Sequence, residues 1–398
     1  MAVVGIVAEY DPFHLGHARQ IDETRRMLGE DAPVVAVLSG SWKQRGECAL
    51  ADKWTRAALA LRGGADLVLE LPAPWALSSA EGFARGAVET LCAAGVVDTL
   101  SFGSECGDVE QLSALAQGLE GEDYRQALAL QLKKGLPFAS ARQKAMESLP
   151  GGGGRAALLL GPNNNLGVEY LRALKSLDSS IRPMTVKRVG PAHDGETAWE
   201  GYASASLLRQ LARAGEWEEF PALTPTGTAE VLQRAGIADM DHVDRAVLAR
   251  LRAMGEADFA TLADSGAAEG LPARLVRAAG EAVSLEDFCA RAKTKRYAYA
   301  RIRRLAVRAF LGLRAEDVPA HPGYLRVLGF GERGRLLLRQ MKERATLPIL
   351  TKPAHAKKLA GEARALFDLE VRCTDLYGLC FDTPRPRGLD YTTGPVRV

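Results

Sequence analysis

Apolar residues come in short unbroken blocks that alternate with apolar residues at helical spacing through the first half of the chain. The block 2–10 predicts a buried strand, Asp11-Pro12-Phe13 a turn, and Leu15 through Ala18 and Ile21 to Met27 a helix. Further strands are predicted at 33–38, 65–70 and 96–102. Between them lie a helix over 52–62, with Asp52 as N-cap, and a helix from Ser78 to Cys92 that Gly95 closes. Near-continuous apolar strands separated by helices imply a parallel sheet covered on both faces. Residues 108–149 read as amphipathic helices, and Gly151 to Gly154 as a flexible turn rather than a phosphate cradle. Gly161-Pro162-Asn163-Asn164-Asn165-Leu166-Gly167 precedes a helix from Val168. A strand over 181–189, a loop with His193-Asp194-Gly195 and a helix opening near Ser204 follow. Beyond about residue 216 strand signals thin out, and the rest reads as mainly helical with a short α/β element in the last 60 residues. The expectation is a Rossmann-like α/β domain over 1–215 and a mainly helical region over 216–398.

Composition narrows the class. The 398 residues are 47% hydrophobic and 25% charged, a globular balance. No apolar stretch approaches the roughly 20 residues that span a bilayer. The apolar N-terminus has no basic flank and reads as a strand, not a signal peptide. Cys48, Cys92, Cys106, Cys289, Cys373 and Cys380 lack CxxC spacing, so neither a zinc site nor a disulfide framework is expected, and a reducing cytoplasm fits. The net charge of +2 hides an asymmetry: residues 290–398 hold 23 Lys and Arg against 10 Asp and Glu, a net of +13 on an otherwise acidic chain. That points to a polyanionic partner, a solvated basic helical surface being the alternative.

Three constellations carry chemistry. His14-Leu15-Gly16-His17 lies between a strand and a helix. There, free amides, the helix dipole, a glycine allowing close approach and two imidazoles can meet phosphate. Ser204-x-Ser206-x-x-Arg209 offers hydroxyls and a guanidinium at a second helix start, where simple capping is the alternative. The segment 293–304 holds Lys293, Lys295, Arg296, Tyr297, Arg301 and Arg304. At helical spacing Tyr297, Arg301 and Arg304 would share an outer face suited to phosphates and a stacked base, while Ile302, Leu305 and Ala306 turn inward. Lys43, Gln44 and Arg45 follow a strand end on a loop and could meet phosphate, a carboxylate or RNA.

The histidine and serine motifs together resemble the HxGH nucleotidyltransferase superfamily. More specifically, the chain resembles the tRNA(Met) cytidine acetate ligases. The resemblance lies in Glu9-Tyr10-Asp11-Pro12-Phe13-His14-Leu15-Gly16-His17, Ser39-Gly40-Ser41-Trp42-Lys43-Gln44-Arg45-Gly46-Glu47 and Gly64-Ala65-Asp66-Leu67-Val68-Leu69-Glu70-Leu71-Pro72, and continues in Ser101-Phe102-Gly103-Ser104-Glu105, Pro162-Asn163-Asn164-Asn165-Leu166-Gly167 and Lys293-Thr294-Lys295-Arg296-Tyr297. It implies a ligase that activates acetate as acetyl-adenylate, releases pyrophosphate, and acetylates N4 of the wobble cytidine of elongator tRNA(Met). It implies ATP, with magnesium, at Val7, Glu9, Tyr10, Phe13, His14, Gly16, His17, Gln20, Gly103, Asn163 or Asn164, and Arg188, with Ser204, Ser206 and Arg209 as a second clasp. His14 and His17 would meet the phosphates as catalytic residues. The tRNA would lie on Lys43, Arg45, Lys293, Lys295, Arg296, Tyr297, Arg301 and Arg304. No resident metal, membrane or protein partner is implied. Asp11, Leu15, Trp42 and Cys48 depart from the family pattern, and Asp11 would add negative charge beside ATP. A small-molecule adenylyltransferase or a noncatalytic RNA-binding protein with a retained nucleotide pocket are the alternatives.

Overall fold

A computed structural model describes residues 2–189 and 201–398, so the predicted loop at His193-Asp194-Gly195 lies outside the described residues. Five parallel strands form the heart of the molecule: β1 (Val4–Ala8), β2 (Val34–Ser39), β3 (Leu67–Leu71), β4 (Thr99–Ser104) and β5 (Arg182–Lys187), in the order β5-β4-β1-β2-β3. Every residue of β2 and β3 is buried, as strands covered on both faces require, whereas the edge strand β5 buries only Val186. The chain moves outward from β1 through β2 to β3, then returns to place β4 on the other flank of β1. This reversal opens a crevice beyond the carboxyl ends of β1 and β4, where open α/β sheets bind ligands.

The sheet does not stop at residue 215. Strand β6 (Leu325–Phe330) pairs antiparallel with β3, and β7 (Ile349–Leu350) and β8 (Val396–Arg397) pair with β6. The α/β element expected in the last 60 residues therefore starts earlier and extends the N-terminal sheet. A short apolar run such as Leu325-Arg326-Val327-Leu328 has too little periodicity to separate strand from buried helix. The helix Gly361–Tyr377 also packs back on the first half: Trp42 Nε1 donates to Cys373 O at 3.0 Å and Tyr377 Oη to Ala49 O at 3.0 Å. Residues 216–324 are helical, and four of their helices (Asp244–Arg252, Leu271–Glu281, Leu285–Ala292 and Tyr299–Leu311) contribute the buried Leu251, Leu275, Phe288 and Ile302 to the larger of two apolar cores.

Two local expectations change. Gly151 has φ +65°, but Gly152, Gly153 and Gly154 open a helix, Gly152–Leu158, instead of a flexible turn. The Asn163-Asn164-Asn165 run forms the first turn of a helix, Pro162–Ser176, with proline at its start, where a missing amide costs nothing.

Candidate active site

The turn after β1 is built around two imidazoles. His14 is the N-cap of the helix Leu15–Leu28; its Nδ1 accepts the Gly16 amide at 3.1 Å, and His17 Nδ1 accepts the His14 amide at 3.2 Å. A ring nitrogen that accepts an amide carries no proton, so this network assigns both neutral rings as Nε2–H donors. The rings stack 3.7 Å apart at 25°. A Cβ on Gly16 would fall 2.9 Å from His14 Cε1, which explains glycine there without any unusual φ. Tyr10 and Phe13, expected to touch ATP, are buried at 2% and 1% exposure; their rings back His17, with Tyr10 4.8 Å from the ring centres of Phe13 and His17 and Phe13 5.5 Å from that of His17. Tyr10 holds φ +43°, a left-handed backbone rare for an aromatic residue, which fits strain stored at a working site.

Across the crevice, Gly103 of β4 pairs with Val186, and its α-carbon faces Arg188, whose Cγ would lie 3.3 Å from an added Cβ. Arg188 donates to Asn163 Oδ1 at 3.1 Å. Gly103, Asn163 and Arg188 thus lie together. Asn164 does not: it is buried, its Oδ1 accepts the amides of Glu105 (3.0 Å) and Cys106 (3.2 Å), and its amide group donates to Leu158 O. The N-terminus of that helix is already filled by Glu105, whose carboxylate accepts the amides of Asn163 (3.0 Å) and Asn164 (2.7 Å). Burial would raise the Glu105 pKa, but these hydrogen bonds lower it below the usual carboxylate value. Val7 and Gln20 sit half-buried beside β4, where Gln20 Nε2 donates to Ser101 O at 3.3 Å. Glu9 Oε1 accepts the Gln44 amide at 2.7 Å.

The second clasp is turned toward the first loop. Ser204 Oγ caps its helix by accepting the Leu207 amide at 3.1 Å. Arg209 donates to Asp11 O (3.0 Å) and to Ser206 Oγ (2.9 Å), so it braces the turn before His14. Asp11 brings no loose negative charge to the nucleotide. At 2% exposure it pairs with Lys43 Nζ at 2.7 Å and accepts the Leu50 amide at 2.7 Å. Burial would raise its pKa, yet Lys43, Arg209 and Arg56 together hold it at about 2.

Lys43, expected on an RNA surface, is therefore an interior cation, which also meets Glu47 at 3.0 Å. Arg45, on the same loop, is half-buried. Lys293, Lys295 and Arg296 are exposed, but the helix starts only at Tyr299, so the expected outer face does not form. Tyr297 is buried with its hydroxyl donating to Glu269 O at 2.6 Å. Arg304 is buried and reaches Gln44 O and Asp264, while Arg301 pairs with Asp264 (3.0 Å) and Glu269 (3.3 Å). Ile302, Leu305 and Ala306 do turn inward.

One supporting residue had no motif to announce it. Arg56, wholly buried, donates to Ala51 O (3.1 Å), Ser39 O (2.7 Å), Glu9 O and Gly40 O, and so ties together the carboxyl ends of β1 and β2. In sequence it is one more arginine on an amphipathic helix.

A model of the HIGH nucleotidyl transferase family matches residues 1–390. The tRNA(Met) cytidine acetate ligase of Caldanaerobacter subterraneus subsp. tengcongensis is 37% identical over 98% of both chains, and that of Syntrophomonas wolfei 36% identical over 100% of this chain and 99% of its own. The chain belongs to the tRNA(Met) cytidine acetate ligase family. Thermotoga maritima TmcAL bound with alpha-thio ATP superposes over both full chains with a TM-score of 0.91 at 34% identity, and its apo form with 0.93 at 35%. The family architecture thus includes the antiparallel β6 and the helical region as well as the histidine turn. No described helix is long and apolar enough to cross a membrane.

Proposed function

We propose that the protein is an ATP-dependent ligase that acetylates N4 of the wobble cytidine of elongator tRNA(Met). The observation that carries the mechanism is the pair of rings fixed as Nε2–H donors at a helix start beyond the carboxyl end of β1, with Gly103, Asn163 and Arg188 at the same end of the neighbouring strands. An acetate oxygen attacks the α-phosphorus of ATP, the bond to the β-phosphate bridging oxygen breaks, and pyrophosphate leaves with that electron pair. Charge grows on phosphoryl oxygens, and donors fixed beforehand lower the barrier without reorganising. The cytidine N4 then attacks the acetyl carbon, AMP departs, and N4 loses a proton. ATP would lie along the turn from Val7 to Gln20, with Arg188 and Asn163 at its other side.

Among the described residues no three His, Cys, Asp or Glu side chains cluster as a metal site. Asp11 is bound to Lys43 and Glu105 to helix amides. ATP would bring magnesium on its own phosphates. The tRNA would meet the exposed Lys293, Lys295 and Arg296, with Arg45 nearer the crevice. The test combines purified protein, ATP, radiolabelled acetate and tRNA(Met). Label entering the tRNA only with ATP supports the reading, and label entering from acetyl-CoA without ATP overturns it. Adenylylation of a small molecule in place of tRNA acetylation would favour the adenylyltransferase alternative.

A further inference from the structure

Asp11 lies three residues before His14, in the turn that sets both rings. A carboxylate at 2% exposure requires compensation, and the structure supplies it from another loop through Lys43 Nζ at 2.7 Å. Lys43 is itself 2% exposed, and its ammonium also meets Glu47, which pairs with Arg303 at 3.2 Å. The loop is seated firmly there: Gly46, at φ +77°, packs so closely on the helix Tyr299–Leu311 that a Cβ would lie 2.6 Å from Arg304 N. Four charges thus run from the nucleotide turn to the helix that follows the exposed basic segment.

We propose that Lys43 is a positioning residue for the nucleotide half-reaction: by neutralising the buried Asp11 it lets the turn that aims His14 and His17 keep its shape, while Glu47 and Arg303 hold Lys43 in place on its other side. The proposal rests on ATP binding at the histidine turn. Lys43, enclosed at 2% exposure, acts by neutralising Asp11. Asparagine at position 11 keeps the acceptor for the Leu50 amide and has no charge to neutralise, so the requirement for Lys43 is specific to aspartate.

The experiment is a double-mutant cycle of Asp11→Asn, Lys43→Met and the double variant, read by calorimetric ATP affinity without acetate and by acetate-dependent pyrophosphate release. Lys43→Met leaves Asp11 buried with only Arg209, at 3.9 Å, and Arg56 nearby, and should weaken ATP binding by about tenfold or more. Asp11→Asn leaves Lys43 on Glu47 and should cost about threefold or less. The double variant should return to the Asp11→Asn value. In Lys43→Met, ATP affinity should also recover as pH falls from 8 to 5.5 and Asp11 takes up a proton. His14 and His17 titrate in the same range and Arg209, Arg56 and Glu47 face the site in every variant, so the signal is the recovery of Lys43→Met in excess of that in the wild type and the double variant. Additive costs, or wild-type ATP affinity in Lys43→Met, would overturn the proposal. If Lys43→Met does not fold, a folded, ATP-binding double variant still supports it, and an unfolded one overturns it. Wild-type ATP binding without acetate-dependent pyrophosphate release would instead count against the ligase reading.

Discussion

Replacing Gly16 with alanine should separate stability from catalysis. The added Cβ would lie 2.9 Å from His14 Cε1 and 3.0 Å from Nδ1, closer than such atoms approach, and the ring is the part that can move. Turning it breaks the cap from the Gly16 amide to Nδ1, worth about 1 kcal/mol. Alanine regains up to about 1 kcal/mol in helix propensity at the second residue of the helix Leu15–Leu28. The two nearly cancel, so thermal or denaturant unfolding should place the variant within about 1 kcal/mol of wild type. Catalysis has no such offset. A displaced His14 removes one fixed donor and disturbs the 3.7 Å stack with His17. Loss of one preorganised donor typically costs 100- to 1,000-fold, about 3–4 kcal/mol of barrier. Acetate-dependent pyrophosphate release should fall by that factor, with tRNA binding unchanged. Wild-type turnover in Gly16→Ala would show that the ring geometry is not what accelerates the reaction. An unfolding loss of several kcal/mol would show that Gly16 serves packing instead.

Three other outcomes follow from the geometry. Arg56→Lys keeps the charge but cannot span four carbonyls, and leaving one or two of them buried and unpaired should cost about 2–4 kcal/mol in urea unfolding. Glu370, buried beside Glu70, has its pKa pushed up to about 8, mainly by burial and then by that neighbour. The folded state therefore holds a proton that the unfolded chain releases above its ordinary carboxylate pKa of 4.5. Stability from this group is full below about 4.5 and is lost as pH rises to about 8, and Glu370→Gln should flatten that part of the unfolding profile. Replacing Lys293, Lys295 and Arg296 together with alanine should weaken tRNA binding and reduce its salt dependence while leaving acetyl-adenylate formation intact; unchanged tRNA affinity would exclude that surface.

The sequence announced the site where local chemistry and local structure coincide. His14 and His17 lie within four residues, directly after an apolar strand, so motif and placement can be read together. Gly103 was legible from its place just after a predicted strand, but Asn163 and Arg188 only through the resemblance, because they come together by strand order, which spacing does not encode. The basic segment misled for a related reason. Cations counted along 293–304 look like one surface, but Arg304's side of the helix is covered by the loop at Gln44 and by Asp264, which engage it. Charge sums reveal surplus, not exposure. Lys43 and Arg56 were hidden in the same way: each is an ordinary cation until the fold brings Asp11 or four carbonyls to it. The last strands were missed because pairing with β3, far away in sequence, is what makes 325–330 a strand.

Isotope transfer tests the central claim most directly. With acetate carrying oxygen-18 in both positions, attack on the α-phosphorus leaves one acetate oxygen on that phosphorus when the acetyl group departs. Mass spectrometry of a single-turnover reaction with ATP and tRNA(Met) should therefore show AMP with one oxygen-18 atom and unlabelled pyrophosphate. Unlabelled AMP, or ADP with labelled inorganic phosphate, would contradict an acetyl-adenylate formed at the histidine turn.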